Sequence, residues 1–128
     1  MNIPQDVLFD ESHEWVRRES EDTVTVGISD YAQDQLGDVV FVELPTAGSA
    51  VTKGDQVAVI ESVKTASDIY TPVSGTIVEV NGSLEVTPEQ INEAPYQGGW
   101  IFRVKMSDPT ELDALLGGDA YQALTEGE

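Results

Sequence analysis

The chain of 128 residues has no cysteine, a single histidine, and six lysine and arginine residues against 24 aspartates and glutamates. Missing thiols exclude disulfide scaffolding, thiolate zinc sites, iron–sulfur clusters and cysteine nucleophiles together. One histidine cannot build a multi-histidine metal centre or a histidine proton relay, so no metal is expected. The shortage of cations leaves a net charge of −18, which opposes nucleic-acid phosphates and anionic membrane surfaces alike. No run approaches the 18 or so apolar residues that span a bilayer. Met1-Asn2-Ile3-Pro4-Gln5-Asp6 has neither the basic and apolar regions of a signal peptide nor the arginines of a transit peptide. A soluble intracellular protein without nucleic-acid or membrane partners is expected.

Hydrophobic residues nevertheless make up 40% of the chain, enough for one core in one domain over residues 1–128. Glu14–Arg17 and Thr23–Ile28 alternate in the strand manner around a polar turn. A short helix follows, capped by Ser29 or Asp30, with Asp30 and Gln33 at capping-box spacing and Gly37 at its end. Val39–Val42 resumes strand. The centre is densest: Lys53-Gly54-Asp55 marks a turn, Gln56–Val63 reads as a mostly buried strand, and Ser67–Tyr70 as its return arm. Val59 is expected in the core beneath the hairpin tip. Pro72–Gly75 turns again into Thr76–Val80, with Gly75 in a conformation closed to other residues. Helix starts are predicted at Thr87-Pro88-Glu89-Gln90, at Asp108-Pro109 and at Asp119, and a strand over Trp100–Val104. The fold expected is mainly β with short peripheral helices.

Catalytic signatures are absent. The glycines at 98 and 99 lack the following Lys-Ser/Thr of a phosphate loop, and Ser74-Gly75 lacks the upstream glycine of a nucleophile elbow. His13 and Glu14 are adjacent, and neighbours on a strand point to opposite faces, so a structural role is expected for His13. With 24 acids, carboxylate pairs arise by chance, and nothing favours a glycosidase-like dyad. The chain is not expected to be an enzyme.

The lysines are Lys53, Lys64 and Lys105. Lys53 belongs to a turn and Lys105 to a strand end. Lys64 instead stands at the tip of a tight hairpin, preceded by Glu61-Ser62-Val63 and followed by Thr65-Ala66. A tip lysine is ordinarily a solvated charge; a rigid hairpin that presents one ammonium group is also what an enzyme needs to attach a carrier cofactor.

Glu61-Ser62-Val63-Lys64-Thr65-Ala66-Ser67-Asp68 resembles the lipoyl-attachment site of glycine cleavage H proteins. The resemblance continues, in order, through His13-Glu14-Trp15-Val16, Val26–Gln33, Leu36–Pro45, Pro72–Gly75, Asn92-Glu93-Ala94-Pro95-Tyr96 and Gly98-Gly99-Trp100-Ile101. Gln35 departs from it, since histidine stands there in some members. The resemblance implies a lipoyl/biotinyl-type barrel-sandwich hybrid, with an added N-terminal hairpin and C-terminal helices. It implies lipoate in amide linkage on Lys64, as N6-lipoyllysine, in an attachment hairpin of Glu61, Ser62, Val63, Thr65 and Ala66. Biotin carriers share the fold but flank their lysine with methionines, where Val63 and Thr65 stand here.

The function so implied is a shuttle. A cysteine-free protein performs dithiol chemistry if its cofactor brings the sulfurs. The implied partners are a pyridoxal-phosphate glycine decarboxylase that loads an aminomethyl group, a folate-dependent aminomethyltransferase that removes it, and dihydrolipoamide dehydrogenase, which takes the electrons. Lipoyl-attaching enzymes are implied too. Ser12, Glu14 and Asp68 are candidates for a cleft that shelters the loaded, cationic arm. A monomer is expected, in the bacterial cytoplasm, or in the mitochondrial matrix if the chain is a processed eukaryotic one. The charge can steer docking or serve solubility. A lipoyl carrier of another complex and an unmodified binding module are the rival readings.

Overall fold

A computed structural model describes residues 2–127. The strands among them are β1 (Leu8–Phe9), β2 (Glu14–Arg18), β3 (Thr23–Ile28), β4 (Val39–Glu43), β5 (Ala50–Val51), β6 (Gln56–Ser62), β7 (Ala66–Tyr70), β8 (Gly75–Val80) and β9 (Phe102–Met106). Helices α1 (Asp30–Leu36), α2 (Gln90–Glu93) and α3 (Gly118–Glu126) lie between and after them, with 3₁₀ turns at Gly82–Glu85 and Pro109–Ala114. The strands form a six-stranded sheet, β1-β2-β3-β9-β8-β5, and a three-stranded sheet, β4-β6-β7. Every pairing is antiparallel. The result is mainly β with a few short helices, as expected, and the two sheets do not close into a barrel.

The main core lies between the sheets. Val24, Val26, Ile77, Phe102 and Val104 of the larger sheet are buried with Val42, Ala58, Ile60 and Ile69 of the smaller one. A second cluster of Val7, Phe9, Trp15, Tyr96 and Tyr121 fastens the N-terminal strands to α3. There the rings of Phe9 and Tyr121 stack with centroids 4.1 Å apart. Trp15 is completely buried because its cross-strand partner is Gly27, where a Cβ would stand 2.7 Å from the indole. Its Nε1–H donates to the Pro95 carbonyl at 2.9 Å. Gly75 also meets the expectation: its φ is +154°, and a Cβ there would lie 2.0 Å from the Lys105 carbonyl oxygen.

Of the two expected caps of α1, Ser29 serves, its hydroxyl accepting from Ala32 N–H, while Asp30 is the first helical residue. Other local expectations are corrected. The α2 helix begins at Gln90 instead of next to Thr87, because the Thr87 hydroxyl donates back to the Ser83 carbonyl and so caps nothing ahead of it. The segment after Asp108 is a 3₁₀ turn, since Leu115 is extended and Leu116 bridges Phe9. Gly117, not Asp119, precedes α3. The expected strand over Trp100–Val104 runs two residues later, over Phe102–Met106. β6 is buried on one face, through Ala58 and Ile60, and Val59 is only half-buried. An apolar run in sequence does not reveal which of its side chains the pleat turns inward.

Candidate functional site: the Lys64 hairpin and its cleft

β6 and β7 are joined by Val63, Lys64 and Thr65, all exposed. Loops exposed to this degree normally leave their amides to water, but this one does not. Val63 N–H donates to the Asp38 carbonyl at 3.0 Å. Lys64 N–H and Thr65 N–H both donate to Ser62 Oγ, at 3.1 and 3.2 Å. The Ser62 hydroxyl in turn donates to the Thr65 carbonyl at 3.2 Å, and Ser62 N–H reaches the same oxygen at 2.8 Å. Serine suits this position because its short hydroxyl closes a turn on the backbone just ahead of it. The three tip amides are thus satisfied inside the protein, which fixes where the Lys64 stem begins. Glu61 and Ala66 form the last paired rung below the tip.

The tip also leans on the turn between α1 and β4. A Cβ built on Gly37 would lie 3.1 Å from Lys64 Cε, so the lysine stem runs beside a residue that has no side chain. That turn is held from α2 by Asn92. Its Oδ1 accepts from Val39 N–H at 2.9 Å, and its Nδ2 donates to the Gly37 carbonyl at 2.9 Å and to Gln33 Oε1 at 3.0 Å. Asn92 carries no role in the sequence reading. It lies more than fifty residues from its partners, and no local pattern announces such a clamp.

A cleft of about 290 Å³ opens between α1 and β7. Ser12, His13, Tyr31, Gln35, Ser67 and Asp68 supply its polar lining, and Ile28, Leu36 and Ile69 its apolar floor. Of the expected cleft residues, Ser12 and Asp68 therefore meet across one cavity. Glu14 does not line it. It is 1% exposed, lies behind Ser12 and accepts a short hydrogen bond from the Ser12 hydroxyl. It also accepts from Tyr70 N–H at 3.3 Å. Burial pushes its carboxyl up to about 7, against the hydrogen bonds from Ser12, from Tyr70 N–H and from its own backbone that favour the charged form, and the nearby Asp10 charge adds to the rise. His13 and Glu14 do not meet, although the cause differs from strand alternation. His13 precedes β2 with a φ of +78°, and its Nδ1 lies 2.7 Å from the Tyr121 hydroxyl. Tyr31 and His13 join the cleft beyond the expected residues. Tyr31 and Gln35 stand one turn apart on α1, whereas His13 reaches the cleft from the turn before β2.

The full length of the chain bears comparison with known proteins. The family described as Glycine cleavage H-protein matches residues 7–128. The chain belongs to that family. It is 59% identical over 128 residues to the glycine cleavage system H protein of Thermus thermophilus, covering 100% of this chain and 99% of the relative. It is 55% identical over 127 residues to that of Escherichia coli O7:K1, covering 99% and 98%. A crystal structure of a glycine cleavage system H protein from Mycobacterium marinum superposes with a TM-score of 0.87 at 36% identity, covering 97% of this chain and 99% of the other. The chain thus has a role in the glycine cleavage system, as a carrier subunit and not as a catalyst. None of the described helices is long and apolar enough to cross a membrane.

Proposed function

We propose that Lys64 carries lipoate as N6-lipoyllysine and that the chain is a single-domain, monomeric lipoyl shuttle of the bacterial cytoplasm. The observation that carries the reading is the construction of the tip: an exposed lysine whose flanking amides are all bonded within the protein. A plain surface lysine has no need of such a base. An attachment site does, because a modifying enzyme must find the ammonium in one place. The family, and relatives named as glycine cleavage system H proteins, support the same assignment.

When attached to Lys64, the lipoyl group would supply the dithiolane chemistry that this cysteine-free chain lacks, a carrier for an aminomethyl unit and for electrons between glycine decarboxylase, the aminomethyltransferase and dihydrolipoamide dehydrogenase. The chain's own residues do three things for that chemistry. Ser62 and Asp38 fix the pivot. Gly37 leaves the lysine stem free to run along the α1–β4 turn. The cleft of Ser12 and Asp68, with Glu14 behind it, offers a cationic amine carboxylate and hydroxyl partners beside an apolar floor, where water is partly excluded. Tethering keeps the reactive group at high local concentration beside whichever enzyme is docked.

Intact and peptide mass spectrometry of protein made in its own host tests the reading directly. A lipoyl adduct confined to Lys64 is the expected result, and its absence from protein active in glycine turnover defeats it. Lys64→Arg keeps the charge at an exposed position, so stability should change by no more than about 0.5 kcal/mol. A guanidinium is not acylated, and glycine-dependent turnover should be lost.

A further inference from the structure

Two consecutive apolar side chains on β4, Val40 and Phe41, face solvent at 55% and 50% exposure, while Val39 and Val42 on either side are buried. Strict alternation cannot produce that pattern. The pairing with β6 produces it: Val39 stands opposite Ser62 and Phe41 opposite Glu61, so Val40 is the extra residue of a β-bulge. Without the bulge, Phe41 would point into the core. The bulge sits beside the lysine tip, because Val63 N–H bonds the Asp38 carbonyl just before β4. Val63 itself is 66% exposed and adds a third apolar group. Exposed Asp38, Glu43 and Glu61 border these three, and Lys64 is the cation among them.

The geometry points to an occupant. A lysine stem reaches about 6 Å from its own backbone. An enzyme acting on Nζ must therefore bring its active site down to the tip and cover these neighbours, whereas enzymes acting on the far end of an attached arm need not. We propose that Val40, Phe41 and Val63 form the docking strip for the enzyme that acylates Lys64, and that this partner presents an apolar depression rimmed by lysine or arginine. A second copy of the chain is a poor occupant, since it would set Asp38, Glu43 and Glu61 against their own kind on a chain of net charge −18. The inference rests on the lipoyl reading of Lys64. In the step served, the Lys64 ammonium gives up one proton to solvent, Nζ attacks the carbonyl carbon of an acyl adenylate, and a second proton leaves the nitrogen as the amide forms. The amide C–N bond forms, the mixed-anhydride C–O bond breaks, and AMP leaves.

The test is steady-state kinetics of a purified lipoate–protein ligase with lipoic acid, ATP and the unmodified chain as acceptor, read by intact mass. The Val40→Ser/Phe41→Ser pair, and separately Val63→Ser, should raise the KM for the carrier at least about tenfold with kcat within about twofold. Phe41→Leu should keep most of the wild-type KM. Glu43→Lys, which alters no apolar group, should also raise KM, and added salt should raise it for the wild type. Circular dichroism and melting confirm that each variant is folded. Unchanged KM in both serine variants, with the wild type acquiring its lipoyl mass, overturns the docking strip and leaves the Lys64 reading intact. A wild type that acquires no lipoyl mass overturns both. Self-association of the wild type that the serine pair abolishes would make the strip a face between copies, and the proposal would be wrong.

Discussion

Lys64 and Gly37 are neighbours in space: a single methyl on Gly37 would stand 3.1 Å from Lys64 Cε. Gly37 also has φ +78° and ψ −159°, a conformation left almost entirely to glycine. Gly37→Ala should therefore cost roughly 1–3 kcal/mol in urea unfolding and should lower the rate of lipoyl attachment as well. Attachment at the wild-type rate in a destabilised variant would show that the stem's path does not matter to the enzyme.

Ser62 accepts from the amides of Lys64 and Thr65, two exposed residues that water reaches. Water can replace the lost oxygen, so Ser62→Ala should cost no more than about 1 kcal/mol. The tip should loosen all the same. Hydrogen exchange at the Lys64 and Thr65 amides is expected to quicken roughly tenfold or more, out of proportion to the global change. Unchanged exchange would mean that the serine is not what holds the turn.

Asn92 closes three hydrogen bonds around Gln33, Gly37 and Val39. Its removal in Asn92→Ala strands the Val39 amide and the Gly37 carbonyl in a part-buried setting, at about 1–3 kcal/mol. Asn92→Asp retains the acceptor for Val39 and loses both donated bonds, so it should fall between the wild type and the alanine variant. An aspartate variant as stable as the wild type would leave the donated bonds without consequence.

Glu14 gives the protein a pH dependence of definite sign. Its carboxyl sits at about 7 in the folded chain against 4.5 ordinarily, so the folded state binds the proton more tightly than the unfolded one. The contribution is fully present below about pH 4.5 and is lost as pH rises through about 7, on the order of 3 kcal/mol in total. Glu14→Gln should remove this decline from the unfolding free energy between those pH values. A glutamine variant that tracks the wild type across the range would place the titration elsewhere.

The lysine hairpin was legible because its signals are local: an apolar run, a polar tip, a return strand. The Ser29 and Gly37 ends of α1 were legible for the same reason, since caps depend on residue types within one turn of each other. What escaped depends on distance or on register. Val39-Val40-Phe41-Val42 reads as uniform strand, and only its pairing with β6 reveals the bulge that turns two of the four outward. Val59 was misplaced by the same ambiguity, because a continuous apolar run does not state its own phase. The cleft draws on Ser12, α1 and β7, three segments that the fold alone brings together. Glu14 was read as a group facing that cleft, and its burial behind Ser12 follows from the turn at His13.

The bonds that hold the tip come from Ser62, from the Asp38 carbonyl and from the Thr65 hydroxyl, which donates to the Ala66 carbonyl, and none of them uses Lys64 Nζ. Whatever is joined to Nζ therefore leaves the folding free energy alone for as long as it extends into water. Melting temperature then becomes a gauge of arm position. A modified protein that melts with the unmodified one has its arm free, and any rise measures, through linkage, how strongly the arm is held against the body.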